Sequence, residues 1–208
     1  MTKYIRWVAV LLISVWTVLA VAESDPVTML RSVANSMLAG LKSHKATLKK
    51  DPSVVYALAE RIIVPHADLT EMSKRVLPPQ TWNGATAAQR AAFQREFTTT
   101  LIRTYASALA SYDNETVEFF PVRGGVAGKT TVNVNSQIDR EDGPPVAVSY
   151  SLVRVGGSWR LYDMTVEGVS MLESFRSQFA DQLSRGDMAN LLQVLKQHNE
   201  SNSQGGNA

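Results

Sequence analysis

In the first half of the chain, apolar residues recur every three or four positions, which is the period of an amphipathic helix. Two such stretches begin with the pair Asp-Pro, at 25–26 and at 51–52, where the aspartate can cap the helix and proline fits its first turn. A third, short helix is predicted over 68–77. A fourth, long helix is predicted to open with a capping box, TAAQ over 86–89, and to run to about Tyr112. Its apolar face contains Phe93, Phe97, Leu101, Tyr105, Leu109 and Tyr112.

In the second half the period changes to two, as in strands with one buried face. Apolar residues alternate with polar ones within 132–138 and 146–152, and Gly156-Gly157 predicts a hairpin turn into the next strand. We therefore predict three or four antiparallel strands within 116–166. Two helices follow, the first opened by a capping box at Ser170 and the second capped by Asp187. Residues 199–208 are polar and are predicted to form a disordered tail.

The order of helices, then strands, then helices predicts the α+β class, with helices packed on a twisted antiparallel sheet of about four strands. We find no linker and no internal repeat, so we expect a single domain over 23–198. The chain contains no cysteine, which excludes disulfides, thiolate metal sites and a cysteine nucleophile. A domain of this size buries roughly 70% of the surface of its unfolded chain, which is enough to fold on its core alone.

The first 22 residues have the pattern of a secretory signal peptide. Lys3 and Arg6 precede an uncharged, mostly apolar run over 7–22 that ends in AVA, the small-x-small pattern of a cleavage site. The run is shorter than the roughly 20 residues that cross a bilayer. We expect export and cleavage after Ala22; a retained N-terminal anchor is the alternative. Cleavage removes two basic and no acidic residues and leaves 19 of each sign, so the basic excess of a nucleic-acid-binding protein is absent.

Motifs for catalysis or metal binding are weak in this sequence. The stretch GGVAGKTT over 124–131 resembles a phosphate-binding loop, but Arg123 stands where that motif requires its first glycine, and a strand is predicted to follow instead of a helix. We interpret it as a glycine-rich turn. The three histidines show no convergence with further ligands, as a metal site requires, and no G-x-S-x-G nucleophile motif occurs. We expect no metal and no cofactor.

The aromatic face of the long helix has two interpretations. The ordinary one is a filled hydrophobic core. The other is the wall of an apolar cavity, because the predicted strands add much apolar surface with few charges, and a lipid site needs apolar walls with only a few polar groups. Composition and periodicity do not distinguish the two.

The segment over 157–171, GSWRLYDMTVEGVSM, resembles the MlaC or toluene-tolerance auxiliary family, the periplasmic phospholipid-binding component of the Mla (maintenance of lipid asymmetry) pathway. The most specific elements are Tyr162-Asp163 and the EGVS sequence over 167–170. The likeness extends to the long helix, to PPV over 144–146 and to FRSQF over 175–179, and it covers about 26–196.

The resemblance implies an open sheet folded over helices, NTF2-like in appearance, with a deep pocket that holds phospholipid acyl chains and leaves the headgroup in water. It implies a periplasmic carrier and not an enzyme, which as a monomer shuttles phospholipid between an outer-membrane lipoprotein–porin complex and an inner-membrane ABC transporter with an MCE-domain subunit. Phospholipid is then cargo and not a cofactor.

The pocket of such a carrier would draw its wall from the long helix, the sheet and the turn at Val169. We expect it to contain Phe97, Leu101, Tyr105, Leu109, Val134, Val148, Tyr150, Leu152, Tyr162, Met164 and Val169. Arg90, at the start of the long helix, is the candidate for docking to a partner. One alternative is an isomerase or hydrolase that acts on an apolar ligand with Tyr162-Asp163 as an acid/base pair, although adjacent strand residues face opposite ways. Another is an exported chaperone or interaction module with a filled core.

Overall fold

The computed structural model describes residues 25–48, 51, 53–111, 115–141 and 143–204, with side chains described through residue 201. The predicted signal peptide, Pro52, the expected helix end at Tyr112 and residues 205–208 lie outside the described residues. The helices are α1 (Pro26–Ser43), α2 (Lys45–Leu48), α3 (Ser53–Ile62), α4 (Leu69–Val76), α5 (Pro79–Gly84), α6 (Ala87–Ala110), α7 (Met171–Arg185) and α8 (Met188–Gln204), with a 3-10 turn at Val64–His66. The strands are β1 (Thr116–Phe119), β2 (Thr131–Asp139), β3 (Val146–Val155), β4 (Ser158–Val166) and β5 (Val169–Ser170).

Each helix that the sequence predicts begins at its predicted cap, and only the short α2 and α5 have no predicted counterpart among the described helices. The Asp25 carboxylate accepts a hydrogen bond from the Thr28 amide at 2.9 Å, and both halves of the capping box at Thr86 and Gln89 are formed. Helix α5 follows directly after the short helix predicted over 68–77, and the prolines at 78–79 mark the boundary between the two. Pro79 occupies the first turn of α5, the one part of a helix that needs no backbone N–H from it.

The strands form one antiparallel sheet in the order β1-β2-β3-β4-β5, which confirms the α+β class with one more strand than expected. Gly156 and Gly157 form the β3–β4 turn with φ of 56° and 82°, in the left-handed region that a two-residue hairpin turn uses. Glu167 and Gly168 make a second such turn, with φ of 49° and 81°, between β4 and the two-residue β5. The Glu167 carboxylate accepts from the Ala147 amide at 2.5 Å, which holds this non-glycine residue in place.

Three hydrophobic clusters stabilise the fold. The first, which we call the helical core, contains side chains from each of the helices α4 through α8. At its centre the Phe97 ring lies 5.4 Å from the rings of both Phe175 and Phe179, a spacing typical of favourable edge-to-face contacts. The sheet core packs α1, through Leu30, on Val132, Val134, Leu152 and Trp159. The α1–α3 core joins those helices to the C-terminal part of α6.

The predicted disordered tail from Asn199 is wrong for the residues that the structure describes, because α8 continues to Gln204. Asn199 is only 5% exposed. Its side-chain amide donates to the Glu96 carbonyl and carboxylate at 3.0 and 2.9 Å, and its oxygen accepts from the Thr100 hydroxyl at 3.1 Å. Polar composition suggested disorder, but on a helix these groups find partners on α6, so their burial carries little penalty.

Candidate functional site

The sheet has two chemically different faces. The face that we call the covered face carries Val132, Val134, Val148 and Leu152, all buried, and α1 packs on it. The alternate residues, which include Asn133, Asn135, Ser149 and Ser151, point to the other side, which we call the polar face. This alternation is the period-two pattern seen in the sequence.

The predicted pocket residues of β3 and β4 lie on the covered face, apart from Tyr162. Val148 and Leu152 are buried there with Val134, whereas Tyr150 and Met164 are half-buried register partners. The Tyr150 ring lies 5.6 Å from that of Phe119. Burial raises the pKa of the Tyr150 phenol, so the group is neutral at ordinary pH.

The predicted residues of α6 divide between two clusters. Phe97 and Leu101 are buried in the helical core with Tyr105 at its margin, and Leu109 belongs to the α1–α3 core. The pocket set is thus distributed over all three cores. Among its half-buried members, Tyr105 and Tyr162 pack on the helical core, Tyr150 on the sheet core and Leu109 on the α1–α3 core, while Met164 pairs with Tyr150 across β3 and β4. These residues have surface left to offer a ligand.

Tyr162 departs from the other predicted sheet residues. Ser151 pairs with Asp163 and Leu152 pairs with Leu161, which leaves Tyr162 as the extra residue of a β-bulge. A bulge interrupts the alternation of faces, and Tyr162 borders a groove on the polar face with Asn133 and Ser149. The Arg75 guanidinium covers its ring at 4.1 Å.

Asp163 is committed to the junction between β4 and α7. One carboxylate oxygen accepts from the Met164 and Leu172 amides at 2.8 and 3.1 Å, and the other accepts from the Ser170 hydroxyl at 2.6 Å. Ser170 in turn caps α7. Burial, and then the Asp163 charge, raise the pKa of Tyr105. The carboxylate therefore organises a strand-to-helix turn, a role that the sequence analysis missed.

Val169 has an exposed side chain, whereas the side chain of Arg90 is held by contacts within the protein. Val169 pairs with Val166 in the last hairpin and is 62% exposed, an unusual degree for a large apolar side chain. Arg90 donates to the carbonyls of Trp82 and Asn83 at 2.9 and 3.0 Å and covers the Trp82 ring at 5.2 Å. Its guanidinium therefore secures the α5–α6 corner.

Two adjoining grooves cross the polar face, with volumes of about 480 and 370 Å³, and both are lined by Arg123. Neither groove has a signal in the sequence, where the stretch over 124–131 predicts only a glycine-rich turn. Among the described residues, no group of His, Asp or Glu side chains is arranged to hold a metal ion. No described helix is long and apolar enough to cross a membrane.

Comparisons with known proteins place these features in a family. The chain is 27% identical over 185 residues to the toluene tolerance protein Ttg2D of Pseudomonas putida, covering 89% of this chain and 85% of that protein. It is 24% identical to the intermembrane phospholipid transport system binding protein MlaC of Haemophilus influenzae, covering 86% and 84%.

A solved structure shares the fold at higher sequence identity. The phospholipid-binding protein of Ralstonia solanacearum, determined in complex with a phospholipid, superposes with a TM-score of 0.78 at 32% identity, over 86% of this chain and 98% of that one. The sequence profile of the MlaC protein family matches residues 31–197. The chain therefore belongs to the MlaC family, as the sequence resemblance indicated.

Proposed function

We propose that this protein is a periplasmic phospholipid carrier that buries acyl chains and leaves the headgroup in water. The observation that carries the proposal is the 32% identity to a similarly folded protein that was solved with a phospholipid, over nearly the whole of that protein. In the cell it would exchange lipid between an outer-membrane lipoprotein–porin complex and an inner-membrane ABC transporter with an MCE-domain subunit, after cleavage of its signal peptide behind Ala22.

The acyl chains would enter the seam where the three cores meet. Of the half-buried members of the expected pocket set, Tyr105, Leu109 and Tyr150 each pack on one of those cores, and Met164 is the register partner of Tyr150. The phenols of Tyr105 and Tyr150 are uncharged at neutral pH, and burial raises the pKa of both still further. An uncharged, largely apolar seam is what hydrocarbon requires, because it desolvates no ion.

The free energies explain why such a carrier is needed. Each methylene transferred from an apolar site into water costs about 0.8 kcal/mol, so a phospholipid with two long chains does not cross an aqueous gap unaided. The headgroup has the opposite preference, since a buried polar group without partners is costly. A site that holds the chains and leaves the headgroup outside satisfies both.

The enzyme alternative has less support from the geometry. A general acid or base needs an oxygen available to the reacting group, and both Asp163 oxygens accept hydrogen bonds within the β4–α7 junction. Tyr162, its proposed partner, lies under Arg75 on the polar face. No observation favours a second function over the carrier.

Lipid extraction from the purified protein tests the proposal. Protein recovered from the envelope fraction should begin at Glu23 by intact mass and should carry phospholipid, which mass spectrometry of the extract identifies and quantifies. Empty wild-type protein would contradict the carrier function. Lipid recovered as cleavage products, or turned over on incubation, would favour the hydrolase alternative.

A matched pair of variants tests the seam. Leu109→Asn introduces an amide at the proposed site, whereas Leu192→Asn makes the same change at a half-buried leucine packed on the helical core. We expect the first to lose most of its lipid at unchanged fold and the second to retain it. Equal lipid content in the two variants would remove Leu109 from the site.

A further inference from the structure

The glycine-rich loop that fails as a phosphate motif has a definite place in the fold. Val122 and Val126 pack on the sheet core and anchor the loop, and three glycines adopt φ of 71°, 65° and 69°, which side-chain-bearing residues rarely accept. The Lys129 ammonium donates to the Arg123 carbonyl at 3.0 Å. The loop thus holds two basic residues side by side at the edge of the polar face.

The larger groove, about 480 Å³, presents these cations to a polar surface. Its lining includes Arg123 and Lys129 together with Asn133, Asn135 and Ser149, and no lining residue of either groove carries a carboxylate. Neither cation forms an ion pair with a described residue. Cations that are uncompensated in a concave site attract anions, and this volume lies in the range of small-molecule sites.

The smaller groove, about 370 Å³, continues from the larger one and changes in character. The two share Arg123, Asn135 and Ser149, but the lining of the smaller one adds Ala147, Val148, Gly168 and the 38%-exposed Phe120, together with the polar Ser136, Gln137 and Thr165. Beyond Gly168 lies the exposed side chain of Val169. The two grooves thus form one trough that runs from the two cations to a wall with an apolar part at Phe120, Ala147 and Val148.

We propose that this trough binds an anionic single-chain amphiphile, with the charged head against Arg123 and Lys129 and the hydrocarbon chain along Phe120. A head that carries phosphate, as in a lysophospholipid, or carboxylate, as in a fatty acid, supplies the same chemistry. Val148 and Tyr162, from the set expected for the cargo pocket, also line the trough. Its other strand residues, such as Asn133 and Ser149, lie on the polar face, opposite the seam proposed for the cargo, so we treat the trough as a second site that can be filled while the cargo is bound.

Titration of cargo-loaded, isotope-labelled protein followed by amide NMR tests the site. The probes are decanoyl lysophosphatidylglycerol, decanoate and uncharged decyl maltoside, each below its micelle concentration, and inorganic phosphate. We expect the two anionic amphiphiles to shift amides within 120–129, 147–149 and 165–168, and the better of them identifies the head. Shifts confined to other regions, equal binding of the maltoside, or equal binding of phosphate alone would overturn the proposal.

Paired variants separate the two halves of the trough. Arg123→Gln/Lys129→Gln should raise the Kd of the anionic amphiphiles about tenfold or more, as expected for lost charge-assisted contacts, whereas Arg95→Gln, an exposed cation on α6, should not. Phe120→Ser should weaken binding more than Val155→Ser, which is exposed outside both grooves. If the double variant unfolds, Arg123→Gln alone serves, since its side chain is exposed. Unchanged affinity in these variants would overturn the proposal.

Cargo analysis of the same preparations keeps this inference distinct from the carrier function. The Arg123 and Lys129 variants should retain their co-purified phospholipid. If wild-type protein carries no phospholipid but binds the amphiphiles in the trough, the carrier function fails and the trough stands. If it carries phospholipid and no probe binds, the trough fails alone.

Discussion

Replacing Asp163 separates a structural carboxylate from a catalytic one. Its three accepted hydrogen bonds tie the end of β4 to Ser170 and to the first turn of α7. Asp163→Asn retains one carbonyl oxygen for the two backbone amides, and its new NH₂ group can donate to the Ser170 hydroxyl. Asp163→Ala removes all three acceptors. We expect both proteins to fold and to carry phospholipid, with graded losses of stability.

The magnitudes follow from the contacts. In Asp163→Asn the lost charge, near the N-terminus of α7, and the weaker hydrogen bonds should together cost about 1–2 kcal/mol. In Asp163→Ala the Leu172 amide and the Ser170 hydroxyl lose their partners at a half-buried site, so we expect about 2–4 kcal/mol. For a domain of this length, that second loss lowers the melting temperature by about 4–15 °C.

Urea unfolding followed by circular dichroism measures these losses, with Asp187→Asn as the control. Asp187 caps α8 through the Asn190 amide alone and is exposed, and asparagine caps a helix as well as aspartate does. A double-mutant cycle of Asp163→Ala with Ser170→Ala should show coupling of about 1 kcal/mol, because the two side chains are in contact. Wild-type stability for Asp163→Ala would refute the junction role, and lost lipid at full stability would return Asp163 to the functional site.

Three further predictions concern other parts of the fold. Because the pKa values of Tyr105 and Tyr150 are raised above 10.0, the folded state retains protons that the unfolded state releases. The free energy of unfolding should therefore be unaffected by these groups below pH 10.0 and should fall as the pH rises from 10.0 through their pKa values in the folded state. Tyr150→Phe should reduce that fall in urea unfolding measured at several pH values; an unchanged dependence of the free energy on pH would contradict this. Asn199→Ala should cost about 1–3 kcal/mol by calorimetry, since it leaves buried partners on α6 unpaired, whereas the exposed Gln197→Ala should be nearly neutral. Val169→Asp, at a 62%-exposed site, should change the free energy of unfolding by no more than about 0.5 kcal/mol and should lower the phospholipid content, because the new carboxylate would lie against hydrocarbon held at Val169; a fully loaded variant would exclude that contact.

The sequence predicted those features that neighbouring residues determine. The caps at Asp25, Thr86 and Ser170 and the turn at Gly156-Gly157 all formed where expected, because each depends on groups within about four positions of one another. The alternation in β2 and β3 likewise assigned Val134 and Leu152 to the buried face of the sheet.

Features that depend on distant partners were not predictable in the same way. The bulge that turns Tyr162 to the polar face arises from the pairing of two strands and has no signal in β4 itself. The burial of Asn199 requires the Glu96 carboxylate and carbonyl from a helix about a hundred residues earlier. The division of α6 between two cores also depends on distant residues. The helical period predicts that one face of α6 is buried, but it does not predict which elements pack on that face.

That division bears on how a carrier can release its cargo. Phe93 and Phe97 are among the largest fully buried side chains, at 0% and 2% exposed, and their rings contact one another. Truncating such a phenylalanine typically costs about 3–5 kcal/mol. The residues proposed to contact hydrocarbon lie at the margins of the cores and are only half-buried. If the carrier function holds, an empty seam would leave the helical core intact, and bound lipid would add to the free energy of unfolding only by mass action. A carrier that must be loaded and emptied repeatedly requires this separation, because a cargo that also held the fold together could not leave without unfolding its carrier.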